Sequence, residues 1–346
     1  MKRENNLIRH SRRDFLKQVS LIGGAAYLGF GGIFSIAKPL KSSNKLINEF
    51  EYQYRTISVK HIKEVGEWFR KLDSEGKLGS NATFKKYIGA FNFNPQEILP
   101  GAKSLILISI PMGMQSITFR RAGKNYDILI PSGYWDDGVT YEGTEARIRD
   151  DLMLDASVNM EPRVKLPLKT LSVRSGLADY GKNNITFVRE YGSFHQLIAF
   201  YTDIEMEDSW RPINMLRLCK GCDICKDKCP TKCIRDENFV INVDKCVTLY
   251  NELEDPMPEW MPAEAHNAFV GCIHCQYTCP ANAEGIKNIG KIADVNEEET
   301  EYLLSDRTDE KMQKHLSEKL KLFPYINYPD YFRRNFRLVM ANTKPV

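Results

Sequence analysis

The chain has no large excess of charge of either sign. Its 48 lysines and arginines stand against 45 aspartates and glutamates, a formal net charge of +3. That balance does not argue for a protein built to coat nucleic acid or an acidic membrane, so nucleic acid is not expected as a partner. It also has no cysteine outside one window. All nine lie between Cys219 and Cys279. An odd number at gaps of two and three residues is wrong for a disulfide framework. A phosphate-binding loop is missing as well: Gly176 and Gly181-Lys182 have suitable glycines, but Asn183 stands where Ser or Thr is needed. The apolar run Val19–Ala37 is short and rich in glycine, which fits a signal segment better than a stable membrane span.

What is present is an ordinary globular composition, 42% hydrophobic and 27% charged, enough for one large domain or two modest ones. The cysteine window opens with Cys219, Cys222, Cys225 and Cys229-Pro230. It closes with Cys272, Cys275 and Cys279-Pro280, with Cys246 alone between the runs. Iron–sulfur clusters need soft anionic thiolates. Three cysteines at x2-x2 spacing can wrap one cubane, and the fourth, three residues on and before proline, reaches the other cluster. The expected sets are therefore Cys219, Cys222, Cys225 and Cys279 for one [4Fe–4S] cluster, and Cys229, Cys246, Cys272 and Cys275 for the second. Cys233 is left over and reads as a small buried hydrophobe. His274 is not needed as a ligand. Zinc is the poorer alternative, because zinc sites do not need the Cys-Pro element at both runs.

Ahead of the apolar run, Ser11-Arg12-Arg13-Asp14-Phe15-Leu16-Lys17 matches the twin-arginine export signal, and Ser35-Ile36-Ala37 offers a cleavage site. That route carries folded, cofactor-loaded cargo. The expectation is export by the twin-arginine machinery to the periplasm or the outer face of the cytoplasmic membrane. The chain then divides into a signal segment (1–37), an α/β core (38–210), a double-cluster domain (211–290) and a helical extension (291–346). In the core, Ile62, Val65, Phe69 and Leu72 predict an amphipathic helix, Lys85–Pro95 a loop, and Ser104–Pro111 a buried strand. Phe119–Trp135 has no clear pattern. Pro167–Ser175 predicts a helix closed by Gly176, and Phe194–Thr202 a strand. On composition alone, the loop 176–184 is either a cofactor contact or a plain hairpin loop. The aromatic, basic stretch after Pro324 either packs beneath the cluster region or meets a partner.

Several of these stretches resemble the corrinoid-dependent iron–sulfur reductases, a group that includes epoxyqueuosine reductase and the reductive dehalogenases. They are Val173-Arg174-Ser175-Gly176-Leu177, Gly181-Lys182-Asn183, Arg189-Glu190-Tyr191-Gly192-Ser193, the run from Cys246 to Glu252, and Gly271–Asn282. The resemblance runs from Phe84 to Met340. Locally it favours epoxyqueuosine reductase, whereas the export signal resembles the dehalogenases. It implies an α+β chain: a nitroreductase-like α/β core holding cobalamin, followed by a ferredoxin-like domain with two [4Fe–4S] clusters. It further implies that Gly176, Leu177, Gly181, Lys182, Asn183, Tyr191, Gly192 and Ser193 contact the corrinoid.

One departure matters. Epoxyqueuosine reductases resemble one another in a Val-Asp-Ser-Gly-Pro-like run whose aspartate is the general acid. The matching run here is Val158-Asn159-Met160-Glu161-Pro162. Asparagine has no titratable proton to give, which leaves Glu161 and Tyr180 as candidate catalytic residues. The expected function is an exported corrinoid-dependent reductase of the dehalogenase type, passing electrons through both clusters to cobalamin. The alternatives are an exported two-cluster electron carrier without corrinoid, and an epoxyqueuosine reductase-like enzyme. Expected partners are a redox donor protein or a membrane quinol-linked donor, and a small-molecule substrate.

Overall fold

The computed structural model describes residues 51–162, 164–236 and 239–346. The twin-arginine motif, the apolar run and the boundary after Ala37 lie outside the described residues. Among the described residues no helix is long and apolar enough to cross a membrane.

The chain opens with β1 (Gln53–Ser58) and α1 (Ile62–Ser74). Ile62, Val65 and Leu72 of α1 are buried, as their helical spacing predicts. Helix α2 (Ala82–Ile88) begins where the Asn81 side chain accepts from Phe84 N, so the first part of the expected loop is helical. Strands β2 (Ser104–Pro111), β3 (Gln115–Arg121) and β4 (Lys124–Ile130) follow. Then come α3 (Tyr141–Asp151), β5 (Met160–Glu161) and α4 (Leu168–Arg174). Short strands β6 (Asp179–Tyr180) and β7 (Thr186–Phe187) precede β8 (His195–Thr202).

The first sheet runs β1-β2-β8-β5, with every neighbour antiparallel. Its centre is β2, whose unbroken apolar run is explained by cover on both faces. Leu105 and Leu107 point into a core with Ile62, Val65, Leu171, Leu197 and Tyr201. Ile106, Ile108 and Ile110 point the other way, toward Ile148, Ile198 and Phe200. Truncating a fully buried side chain such as Leu107 to alanine costs about 2–5 kcal/mol.

The unpatterned stretch after Phe119 is a hairpin. Ala122 and Gly123 turn it, both with positive φ (48° and 73°), as a tight two-residue connection requires. Beyond the cysteine region, β9 (Gly290–Val295) pairs in parallel with β3, giving a second sheet of order β4-β3-β9. In the cysteine region come the short helices α5 (Ile224–Lys228), α6 (Val247–Asn251) and α7 (His274–Tyr277), and helices α8 (Glu297–Leu304), α9 (Glu310–Lys319) and α10 (Pro329–Asn342) close over the second sheet. Phe119, Phe269, Phe323, Phe332 and Phe336 share that core. Residues 291–346 therefore return to the first half of the chain and do not stand apart as an extension. The aromatic carboxyl segment packs inward, against Phe269 just ahead of Cys272.

Candidate functional site

Two short helices, here called the first cysteine helix (Ile224–Lys228) and the second (His274–Tyr277), pack against each other. They bring the cysteines into two groups. Cys225 lies within electrostatic reach of Cys219, Cys279 and Cys222, and Cys279 of Cys219 and Cys222. Cys272 is within electrostatic reach of Cys246 and Cys229, and Cys275 of Cys272 and Cys246 and, from the other group, of Cys225. Thus the last cysteine of each run sits with the opposite run. Among the described residues no three His, Cys, Asp or Glu side chains converge as a single ion would need. Four soft thiols per group, spread around a larger body, fit a cubane instead.

Cys233 is buried in an apolar cluster with Cys229 and Ile234, as expected, and it also touches a thiol of the inner group. Its Sγ lies 3.5 Å from Cys229 Sγ, and its backbone N–H donates to that sulfur at 3.4 Å. Hydrogen bonds from Cys233 hold the Cys229 thiol down at about 5, and the Cys233 side chain draws the Cys246 thiol below its ordinary range. Both effects favour the thiolates that iron requires. Burial pushes Cys225 up to about 11 and Cys272 up to about 12; a bound iron centre reverses that tendency through its own positive charge.

Three sets of hydrogen bonds fix the cysteine loops to the rest of the fold. Lys182 Nζ donates to Cys222 O at 2.8 Å and pairs with Asp223 at 2.6 Å. Ser193 N donates to Asn282 Oδ1 at 2.8 Å, and Asn282 Nδ2 returns a bond to Ser193 Oγ at 2.8 Å. Helix α10 supplies the third set. Asn335 Nδ2 donates to Asn251 O at 2.9 Å and to Phe269 O at 2.7 Å, while Arg334 Nη2 donates to Tyr250 O and Leu253 O. Asn251 in turn donates to Gly271 O at 2.8 Å. The segment between Cys246 and Cys272 is thereby held from behind.

A cavity of about 430 Å³ lies between the α/β core and the cysteine region. Its wall includes Cys229, Cys246, Cys272 and Cys275, but none of Cys219, Cys222, Cys225 or Cys279. One cysteine group is therefore inner and the other outer. Apolar cover comes from α1, α2 and Phe239, and polar groups from Ser132, Tyr134, Lys169, Asn183, Ser193, His195 and Glu252. His195 opens β8 and is 2% exposed, with neither ring nitrogen hydrogen-bonded to the protein. Burial lowers its pKa well below the ordinary 6.5, so it is neutral, with one donor and one acceptor facing the cavity region. Ser132 Oγ is likewise buried without a protein partner. Tyr134 Oη donates to Glu252 Oε1, and burial raises the Glu252 carboxyl from 4.5 to about 7. Lys169, whose Nζ donates to Asn184 O at 3.1 Å, is electrostatically coupled to Glu252, and burial lowers its pKa.

The expected site residues divide sharply. Asn183 and Ser193 line the cavity, and the Asn183 amide faces Cys275. Tyr180 lines it too, but its hydroxyl is 3.0 Å from Thr170 Oγ1 and its ring stacks on Phe239 at 4.0 Å. Burial raises that phenol's pKa, so Tyr180 is a wall and a poor acid. Glu161 does not line the cavity. It pairs with Tyr201 on the edge strand β5, while Asn159 is exposed and bonds Asp203 at 2.6 Å. Gly176, Leu177, Gly181, Lys182, Tyr191 and Gly192 are absent from the cavity wall as well. Leu177 and Tyr191 pack in the core beneath β2. Gly176 takes φ +76° after α4, beside Arg211. A Cβ on Gly181 would lie 2.5 Å from Asn183 Oδ1. Lys182 and Gly192 serve the clamps. Glu252, Lys169, Tyr134 and His195 are the polar groups that the sequence reading passed over.

Residues 218–282 match the family model for a 4Fe-4S double cluster binding domain. In sequence, the epoxyqueuosine reductase of Bacillus cereus is 27% identical over 196 residues, 55% of this chain and 50% of that protein. The chain thus aligns with about half the length of that curated relative. In structure, the epoxyqueuosine reductase of Streptococcus thermophilus superposes with a TM-score of 0.60 at 18% identity, covering 84% of this chain and 77% of the other. A second match, at TM-score 0.59, 18% identity and the same coverages, is an epoxyqueuosine reductase with an epoxyqueuosine-modified tRNA-Tyr stem loop. These relatives favour the epoxyqueuosine reductase alternative over the dehalogenase reading. They also overturn the expectation that nucleic acid is no partner, since a protein of this fold holds a tRNA stem loop. A balanced net charge does not exclude such a partner, because recognition depends on local patches and not on the total. The chain therefore carries a 4Fe–4S double cluster binding domain within the fold of the epoxyqueuosine reductases, to which it is similar in sequence.

Proposed function

We propose that the chain is an iron–sulfur oxidoreductase of the epoxyqueuosine reductase type, acting on an epoxide carried by a tRNA stem loop. The observation that carries this reading is the cavity, whose lining brings the inner cysteine group together with buried titratable groups. Deoxygenating an epoxide to an alkene takes two electrons and two protons and releases water. Cubanes held by the two cysteine groups would supply the electrons singly. The protons need a group whose pKa lies near neutrality, and Glu252, at about 7, stands in the cavity wall, where Asn159 and Glu161 do not. Tyr134 orients its carboxyl, and Lys169 stabilises the carboxylate left behind.

A corrinoid fits the chemistry of the wall. His195 and Ser132 offer buried polar atoms without protein partners, and Asn183 and Ser193 add amide and hydroxyl groups able to meet the amide rim of such a macrocycle. A corrinoid held by these residues would supply a low-potential cobalt centre able to collect single electrons for a two-electron reduction. The amino-terminal motif supports export by the twin-arginine route. A chain that folds and loads its clusters before export meets tRNA in the cytoplasm, so the two readings are compatible in sequence of events.

The test is anaerobic reconstitution with iron, sulfide and cobalamin, followed by reaction with an epoxyqueuosine-modified stem loop. The expected outcome is stoichiometric corrinoid and loss of one oxygen from the nucleoside by mass spectrometry. Two intact clusters with no retained corrinoid and no oxygen loss would reduce the chain to an electron carrier.

A further inference from the structure

Large hydrophobic side chains seldom stand exposed without a reason when they gather in one place. Among the described residues seven do so strongly, and three of them, Leu218 at 62%, Ile224 at 40% and Tyr277 at 42%, border one cysteine group. Leu218 precedes Cys219, Ile224 lies between Cys222 and Cys225, and Tyr277 is two residues before Cys279. All four of these cysteines belong to the outer group. The inner group has no such rim and opens into the cavity instead.

The charges around this apolar cluster are also one-sided. Arg217, Lys220 and Lys228 are exposed, and no ion pair is described for any of them. Of the nearby acids, Asp223 is taken up by Lys182 and Asp236 by Lys226, while Asp227, on the first cysteine helix, is exposed and forms no ion pair among the described residues. The net result is an apolar centre over the outer thiols with a rim that is cationic on balance, three unpaired cations against the one unpaired carboxylate of Asp227. A small apolar core in a charged rim is the anatomy of transient protein contacts, in which the rim sets the encounter rate.

We propose that Leu218, Ile224 and Tyr277, ringed by Arg217, Lys220 and Lys228, form the docking surface for a small acidic one-electron carrier protein. The inference rests on the cluster assignment above. Each encounter oxidises the carrier by one electron and reduces the outer cubane by one, with no bond made or broken. The carrier's acidic face meets the cationic rim, and its redox centre approaches the outer group through the apolar patch. A tRNA stem loop, the other anion available to a cationic surface, is disfavoured here because the patch lies on the outer group and lines no part of the cavity.

The test uses the chain with both clusters assembled, verified by iron and sulfide counts. Reduction by a reduced acidic ferredoxin is followed by stopped-flow bleaching of the cluster absorbance, and binding of the oxidised ferredoxin is measured directly. The second-order rate is expected to fall steeply as salt is raised from about 50 to about 300 mM. Lys220→Glu with Lys228→Glu should lower it by about tenfold or more at low salt. Ile224→Asp, at an exposed position, should weaken binding similarly. Reduction by dithionite, too small to need docking, should be unchanged in every variant. Equal slowing with both reductants, or slowing with neither, overturns the proposal. So does weaker binding of a tRNA stem loop in variants whose ferredoxin rate is intact. Failure to assemble two clusters would instead defeat the underlying cluster assignment.

Discussion

The group most open to a decisive test is Glu252. Burial raises its carboxyl from 4.5 to about 7, opposed in part by the hydrogen bond from Tyr134. Shifting a carboxyl by that much corresponds to about 3 kcal/mol between the folded and unfolded states. The folded state keeps the proton after the unfolded chain has lost it, so stability falls as pH rises from 4.5 to about 7 and the loss is complete above that. Only about 1.4 kcal/mol of it falls between roughly pH 6 and pH 8.5, the range a cluster protein tolerates in urea titrations. Glu252→Gln keeps the shape and a hydrogen-bond partner for Tyr134 but cannot ionise. The variant should therefore lose that pH-dependent difference. In single-turnover reduction of the modified stem loop, the parent rate should drop about tenfold per pH unit above neutrality, as the protonated acid disappears. The variant should be slower by about 10²–10⁴-fold and lack that limb. A Gln variant that retains the alkaline limb, or a parent with a flat profile between roughly pH 6 and 8.5, would refute the assignment of Glu252 as the acid.

Two further outcomes follow from the geometry around the thiols. Gly192 sits at φ +61°, and a Cβ there would lie 2.4 Å from Asn282 Oδ1 and 2.8 Å from Ala281 O. Gly192→Ala should cost about 2–4 kcal/mol, from the left-handed backbone and the overpacked clamp, and an unchanged urea midpoint would contradict the close approach. Cys246→Ala should remove the inner cluster, leaving about half the iron, whereas Cys233→Ala should keep the full complement because its backbone N–H still serves Cys229. Iron loss in the Cys233 variant equal to that in the Cys246 variant would move Cys233 into the ligand set.

Much of this could be seen in the chain beforehand, for reasons that can be named. Thiolate spacing is a local constraint, and a run such as Cys219–Cys229 carries its geometry within itself. The apolar stretch of β2 is equally local, because cover on both faces leaves no room for polar positions. The hairpin at Ala122 was hidden because an alanine took the place usually given to Asn or Asp, and β4 alternates only weakly. The site suffered most. Glu252 follows a short helix in a proline-rich stretch, and nothing in its neighbours announces burial; only the fold sets it against Tyr134, more than a hundred residues earlier. His195 reads as one polar letter at the head of an apolar strand. Conversely, glycine-rich motifs drew attention to Gly176–Lys182, where close packing and a clamp explain the glycines without a ligand.

Helix α10 gives the last lesson, and it concerns time. Asn335 and Arg334 hold the backbone on which Cys246 and Cys272 are mounted, yet they leave the ribosome roughly 56 residues after Cys279. At ordinary elongation rates that is a wait of roughly 3 to 11 s during which every thiol exists and the inner pocket does not. The inner group thus gains its support from behind only after the bulk of synthesis. A nascent chain that stalls in that interval would hold a full set of cysteines with one loop unsupported, and a cell could tell finished molecules from unfinished ones by whether the second cluster stays in.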